Sequence, residues 1–88
     1  MLTFEDCLAL AELTEEEVDA IAEHEHVPEM LAMELGNYLV HADDGVPRIS
    51  RIIIEDIEAA ELRGDRDRVL RLKLVLQHFV AAHPVESF

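Results

Sequence analysis

Apolar residues recur every three or four positions along most of this 88-residue chain, and this spacing constrains the fold more than any other feature. Residues three and four apart share one face of an α-helix, so the pattern predicts amphipathic helices. The alternation typical of strands is absent. We therefore expect an all-α fold in a single domain over residues 1–88: a compact bundle of four main helices and a short N-terminal helix.

Capping motifs mark the starts of the first two helices. Thr3 is followed three residues later by Asp6, and Thr14 by Glu17, a spacing at which side chains and backbone groups cap each other. These motifs predict helices over about residues 4–12 and from residue 15 to near residue 26. The lone cysteine falls on the apolar stripe of the first helix, where a small core side chain is the favoured interpretation.

Proline and glycine punctuate the rest of the chain. Pro28 and Pro47 each predict the first residue of a helix, because the fixed φ of proline suits that position. Gly64 predicts the end of the fourth helix, and Asp65 caps the fifth, which we expect over residues 66–82. Because residues 63–65 form so short a connection, helices four and five are expected to form an antiparallel hairpin.

The net charge of −13 belongs entirely to the first half of the chain. Residues 1–47 contain 13 acidic residues and no Lys or Arg, whereas residues 48–88 contain seven acidic and seven basic residues. The first half therefore repels phosphate backbones and anionic lipids and attracts a basic protein or metal cations. The alternative is that the charge serves solubility alone. In a neighbouring copy, the basic positions expected to meet this half are Arg48, Arg51, Arg66, Arg68 and Arg71.

Two histidines and two glutamates adjoin at the end of the second helix. Glu23 and His26 have the Glu-x-x-His spacing used in ferritin-like di-iron bundles, but those ligands point into a bundle core. Glu23 is predicted to face solvent, and His24 lies about 200° from His26 around the helix. A solvated helix end is the favoured interpretation. The alternative is an iron or zinc site that uses Glu23, His24 and His26 at a subunit interface.

Asp56 interrupts the predicted apolar face of the fourth helix. An ionised carboxylate in such a stripe is strongly unfavourable unless it is paired. Perturbed buried acids also occur at functional sites, but no nucleophile or glycine-rich loop accompanies this one. We therefore expect a structural ion pair, and the candidate partners are Arg63, His41 and His78.

Three helices carry more apolar residues than one face requires. In the third helix, Leu31, Leu35, Tyr38 and Leu39 share the predicted inner face, and Met33 and Val40 lie on the opposite face. The surplus positions are Met33, Val40, Ile54, Leu70 and Leu74. One interpretation is that the fifth helix is central and buries both of its faces within one chain. The favoured interpretation is a two-fold homodimer in which hairpins of helices four and five pair into a four-helix core. The sequence thus predicts an assembly module that acts as a homodimer.

Other functions are disfavoured by what the sequence lacks. Helices two and three have the outline of a helix-turn-helix, but the third helix contains Glu29 and Glu34 and no Lys or Arg, so we expect no nucleic-acid binding. No apolar run approaches the length of a membrane helix. No catalytic triad, phosphate loop or cofactor motif is present, so neither catalysis nor a cofactor is expected. A single cysteine, Cys7, and the lack of a signal peptide predict a cytoplasmic protein.

Overall fold

Five α-helices and no strand occupy the part of the chain that the computed structural model describes, residues 3–84. This confirms the all-α prediction of four main helices preceded by a short one. The helices are α1 (Phe4–Leu10), α2 (Glu15–Glu25), α3 (Glu29–Val40), α4 (Gly45–Arg63) and α5 (Arg66–Ala82).

Side-chain caps begin the helices where the sequence predicts them. The Thr3 hydroxyl accepts from the Asp6 amide at 3.1 Å, and the Asp6 carboxylate accepts from the Thr3 amide at 3.2 Å. Thr14 and Glu17 form the same reciprocal pair at the start of α2, at 3.2 and 2.9 Å. Each pair satisfies amides that the first helical turn leaves without an intrahelical acceptor.

Two helix starts differ from the prediction. Pro28 is the N-cap of α3 rather than its first residue. The fourth helix starts two residues before Pro47, at Gly45, with Asp44 as its N-cap. Proline is tolerated there because the amides of the first turn have no intrahelical acceptor. Gly64 ends α4 with a left-handed φ of 74°, as a glycine at this position should.

The core is built from the predicted stripe of α4 and from residues that the other helices turn towards it. All five apolar residues predicted for α4 are buried: Ile49, Ile52, Ile53, Ile57 and Ala60. Val18 and Ile21 of α2 and Leu72 and Phe79 of α5 pack around them and are also buried. The predicted stripe of α1 contributes half-buried residues, among them Phe4 and Cys7. Burial of this apolar surface drives the folding of the chain.

The α3 helix is rotated from the orientation that the sequence favoured, and only part of the predicted inner face is buried: Leu39 lies in the core and Leu35 is half-buried against it. Met33, predicted for an interface, is only 3% exposed, and Val40 is half-buried against the core. Leu31 and Tyr38, assigned to the inner face, are each more than half exposed. The reason is that Gly36 lies on the Met33 side, and a Cβ there would be 2.4 Å from a methyl carbon of the buried Leu13 side chain.

Two helices form the middle of the molecule. Helix α4 packs on α2, α3 and α5, and α2 also contacts both α3 and α5. Contacts between α4 and α5 are the most extensive of any pair, and only residues 64 and 65 join these two helices. Their antiparallel orientation stays a prediction. Helices α3 and α5 therefore flank the pair formed by α2 and α4.

Candidate functional site

A polar cluster joins α2, α4 and α5 at one edge of the core. Nε2 of His24 lies 2.7 Å from Oε1 of Glu55, which ties the end of α2 to α4. Arg68 of α5 donates a hydrogen bond to Glu23 of α2. Asp56 is 8% exposed, and its Oδ2 atom is buried without a hydrogen-bond partner in the described part of the chain.

The predicted ion pair of Asp56 is not formed. None of the ion pairs among residues 3–84 includes this carboxylate, and the positive charges that lower its pKa are not those of the predicted partners. They belong to His24 and Arg68, which already pair with Glu55 and Glu23. Asp56 is therefore a buried acid near two cations that other carboxylates have engaged.

This arrangement shifts the pKa of two groups. Burial raises the pKa of Asp56 from 3.8 to about 6, and the nearby positive charges of His24 and Arg68 only partly oppose the rise. Burial lowers the pKa of His24, but its hydrogen bond with Glu55 and the surrounding negative charges outweigh burial. The pKa of His24 therefore lies above its ordinary value of 6.5.

The residues of the metal hypothesis are not brought together. Glu23 is paired with Arg68, and His24 with Glu55. His26 lies beyond the last residue of α2, is exposed, and has a left-handed φ of 57°. Glu23 and His26 therefore lack the helical geometry of a Glu-x-x-His pair, because His26 lies outside the helix. Among the described residues, no group of three or more His, Cys, Asp or Glu side chains has an arrangement suited to a metal ion.

The outward side of α5 carries exposed leucines. Leu70 is 63% exposed and Leu74 is 65% exposed, and Gln77 and Ala81 continue their line with steps of three and four residues. We call these four residues the α5 outer face. They lie opposite Leu72, which faces the core. Ile54 of α4, another predicted interface residue, is 43% exposed.

An open cleft adjoins the α5 outer face beside Leu74. Its volume is about 380 Å³. It is lined by Thr14, Glu16, Arg71, Leu74, Val75 and His78. The cleft therefore extends from the start of α2 to the outward side of α5.

A second exposed apolar surface lies on α3. It consists of Met30, Leu31, Glu34 and Tyr38, which we call the α3 outer face. The spacing of apolar residues places Leu31 and Tyr38 on the predicted inner face, so the sequence does not indicate this exposed surface. Both faces of α3 are apolar, and the signal that separates them is Gly36, which marks the side of close approach.

The two outer faces carry opposite charge. Helix α5 has four basic residues and one acidic residue, and Arg66, Arg71 and Lys73 are exposed beside its outer face. Helix α3 has two glutamates and no Lys or Arg. A hydrogen bond with Asp19, together with the negative charges of Asp19 and Glu15, raises the pKa of Glu29. Negative charge is thus crowded at the start of α3.

Sequence reasoning also missed the burial of Glu17. Its Oε1 atom accepts a hydrogen bond from the Thr14 amide, as the capping motif predicts. The side chain is nevertheless buried, and its Oε2 atom has no hydrogen-bond partner among residues 3–84. The steps of four and three residues from Glu17 to Ile21 and His24 indicate that these residues share one side of α2. Because Ile21 is a core residue, this spacing could have predicted that Glu17 and His24 lie at the edge of the core.

Comparisons of this chain with models of protein families, with curated proteins and with solved structures return no match. Between residues 3 and 84, no helix combines the length and the apolar character that crossing a membrane requires.

Proposed function

We propose that this chain is a non-catalytic assembly module that acts by associating with a second copy of itself. The observation that carries the proposal is the exposure of Leu70 and Leu74 on the α5 outer face. Neighbouring leucines on one helix face form a patch that is favourable to cover, whereas scattered apolar residues on a surface are ordinary.

Two further features support association between copies. Half of the residues are apolar in a chain of only 88, and a chain of this size buries only about 60–70% of its unfolded surface. The acidic first half and the basic positions near α5 also give each copy complementary surfaces to offer to another. We place this module in the cytoplasm, because its lone Cys7 suits a reducing compartment.

The test is the mass in solution of the wild type and of Leu74→Glu, measured by sedimentation velocity over a concentration series. The wild type should sediment as a dimer or a larger assembly and Leu74→Glu as a monomer, because a buried, unpaired carboxylate opposes the contact. Leu62→Glu is the matched control, since Leu62 is 90% exposed on α4 and lies outside the α5 outer face. A monomeric wild type, or a dimeric Leu74→Glu, would contradict the proposal.

A further inference from the structure

We infer that the α5 outer face of one copy binds the α3 outer face of another copy. This inference rests on the proposed self-association and adds the identity of the two surfaces. It differs from a symmetric pairing of α5 with α5, or of two α4–α5 units, because each contact joins two different helices. One such contact leaves one α3 outer face and one α5 outer face free, so further wild-type copies can add end to end.

One chain cannot satisfy its own two faces. Helices α2 and α4 lie between α3 and α5, and the outer faces point away from that central pair. Leu31 and Tyr38 on one flank and Leu70 and Leu74 on the other therefore remain exposed in the isolated chain. Nothing in residues 3–84 covers them, and a second copy offers a complementary face for each.

Charge selects α3 as the partner of α5. Arg71 and Lys73 flank the leucines of the α5 outer face, and both are exposed. A second α5 would bring the same positive charges opposite them, which opposes pairing. The α3 outer face instead offers Glu34 between its apolar residues, and Glu29 is exposed at the start of the same helix. The crowding of carboxylates around Glu29 also favours a neighbouring cation.

The two faces match in spacing and in length. Leu31, Glu34 and Tyr38 are separated by three and four residues, and the α5 outer face has the same steps between Leu70 and Ala81. These steps are those of two helices that pack lengthwise. At 1.5 Å per residue, the first set spans about 10 Å and the second about 16 Å, so the α3 outer face fits within the α5 outer face.

Tyr38 is the expected anchor of the contact. It is the largest exposed side chain of the α3 outer face, and tyrosine is enriched among residues that dominate binding energy. The cleft of about 380 Å³ beside Leu74 offers it a position on the partner. Arg71 and His78 line that cleft and supply hydrogen-bond donors for the phenol oxygen.

A mixing experiment separates this contact from a symmetric one. Tyr38→Glu disrupts the α3 outer face and leaves α5 intact, whereas Leu74→Glu does the reverse. Each variant alone should be monomeric, with a dissociation constant raised at least about 100-fold, as for loss of a central contact. Equimolar mixing should produce a 1:1 heterodimer, because the intact α5 of the first variant binds the intact α3 of the second.

The outcomes of this experiment are distinct. A dimeric Tyr38→Glu, or a mixture that stays monomeric, would overturn the pairing of α3 with α5 and leave self-association standing. A monomeric wild type would overturn both. Circular dichroism of each variant establishes that it is folded. If Tyr38→Glu or Leu74→Glu unfolds, Leu31→Glu and Leu70→Glu replace them in the same mixing experiment. Raising the salt concentration should also weaken the heterodimer, because its exposed charges are screened.

Discussion

Oε1 of Glu55 lies 2.7 Å from Nε2 of His24, and this contact joins the end of α2 to the middle of α4. It holds a histidine with a raised pKa beside Asp56, a buried acid whose pKa is also raised. Two titrating groups in one cluster make the stability of the fold depend on pH.

The folded chain should be more stable at pH 5 than at pH 8. The pKa of Asp56 is about 6 in the folded state against 3.8 ordinarily, so the folded state binds its proton more firmly and stability falls as pH rises from about 4 to 6. His24, with a pKa raised above 6.5, contributes stability that is fully present below that value and lost as pH rises through its folded pKa.

Thermal unfolding at a fixed protein concentration measures this effect. We expect a Tm roughly 5–10 °C lower at pH 8 than at pH 5, which corresponds to about 1–2 kcal/mol for a chain of this size. In His24→Gln the part of the decrease above pH 6.5 should be smaller. A Tm that is constant or rises between pH 5 and 8 would refute the role of this cluster.

Removing the charge of Asp56 should stabilise the protein at neutral and alkaline pH. Asp56→Asn keeps the size of the side chain but no longer has a charge to bury, so we expect a gain of about 1–2 kcal/mol at pH 8 and roughly half of that at pH 5, which lies between the unfolded and folded pKa values of Asp56. This gain is smaller than the pKa shift alone implies, because solvent screens part of the charge. Urea unfolding at both pH values measures the difference.

The control for Asp56→Asn is Glu58→Gln. It makes the same chemical change two residues away on the exposed side of α4. The pH dependence of this control should match that of the wild type. If Asp56→Asn behaves like its control, the carboxylate of Asp56 does not oppose folding.

A methyl group at position 45 should be strongly destabilising. Gly45 is buried at the start of α4, and a Cβ there would lie 1.5 Å from the carbonyl oxygen of Leu39. Because that neighbour is backbone, α3 and α4 would have to separate, and we expect Gly45→Ala to lower the free energy of unfolding by at least about 3 kcal/mol.

Gly64→Ala is the comparison for this clash. Gly64 has a φ of 74° but no atom within 4 Å of the added Cβ, so only backbone strain of about 1 kcal/mol is expected. Urea unfolding of both variants gives the ordering. Equal losses would mean that the close approach of Leu39 to Gly45 is not tight.

Phe79 should be the side chain whose truncation costs most within α5. It is fully buried, and its ring centroid lies 4.6 Å from that of His83, which in turn contacts the carbonyl oxygen of Glu12 at 2.9 Å. Phe79→Ala should lower the free energy of unfolding by about 3–5 kcal/mol. Leu62→Ala, at an exposed position, should change it by less than about 0.5 kcal/mol. A loss below about 1 kcal/mol for Phe79→Ala would show that α5 is not anchored there.

The sequence by itself determined the helices and most of their inward faces. The caps at Thr3, Thr14 and Asp65 are local interactions between residues three apart, so they can be identified without knowledge of the fold. The stripe of α4 was equally clear, because one side of that helix is almost wholly apolar and the other is charged.

Only the tertiary structure decided which side of α3 is buried and which groups surround Asp56. Both sides of α3 are apolar, so hydrophobicity along the chain cannot rank them, and the choice depends on the close approach of Gly36 to Leu13. Likewise, the positive charges that act on Asp56 come from His24 and Arg68, which are distant in sequence and belong to other helices. Packing between helices depends on such long-range contacts, whereas a helix cap depends on residues within a single turn.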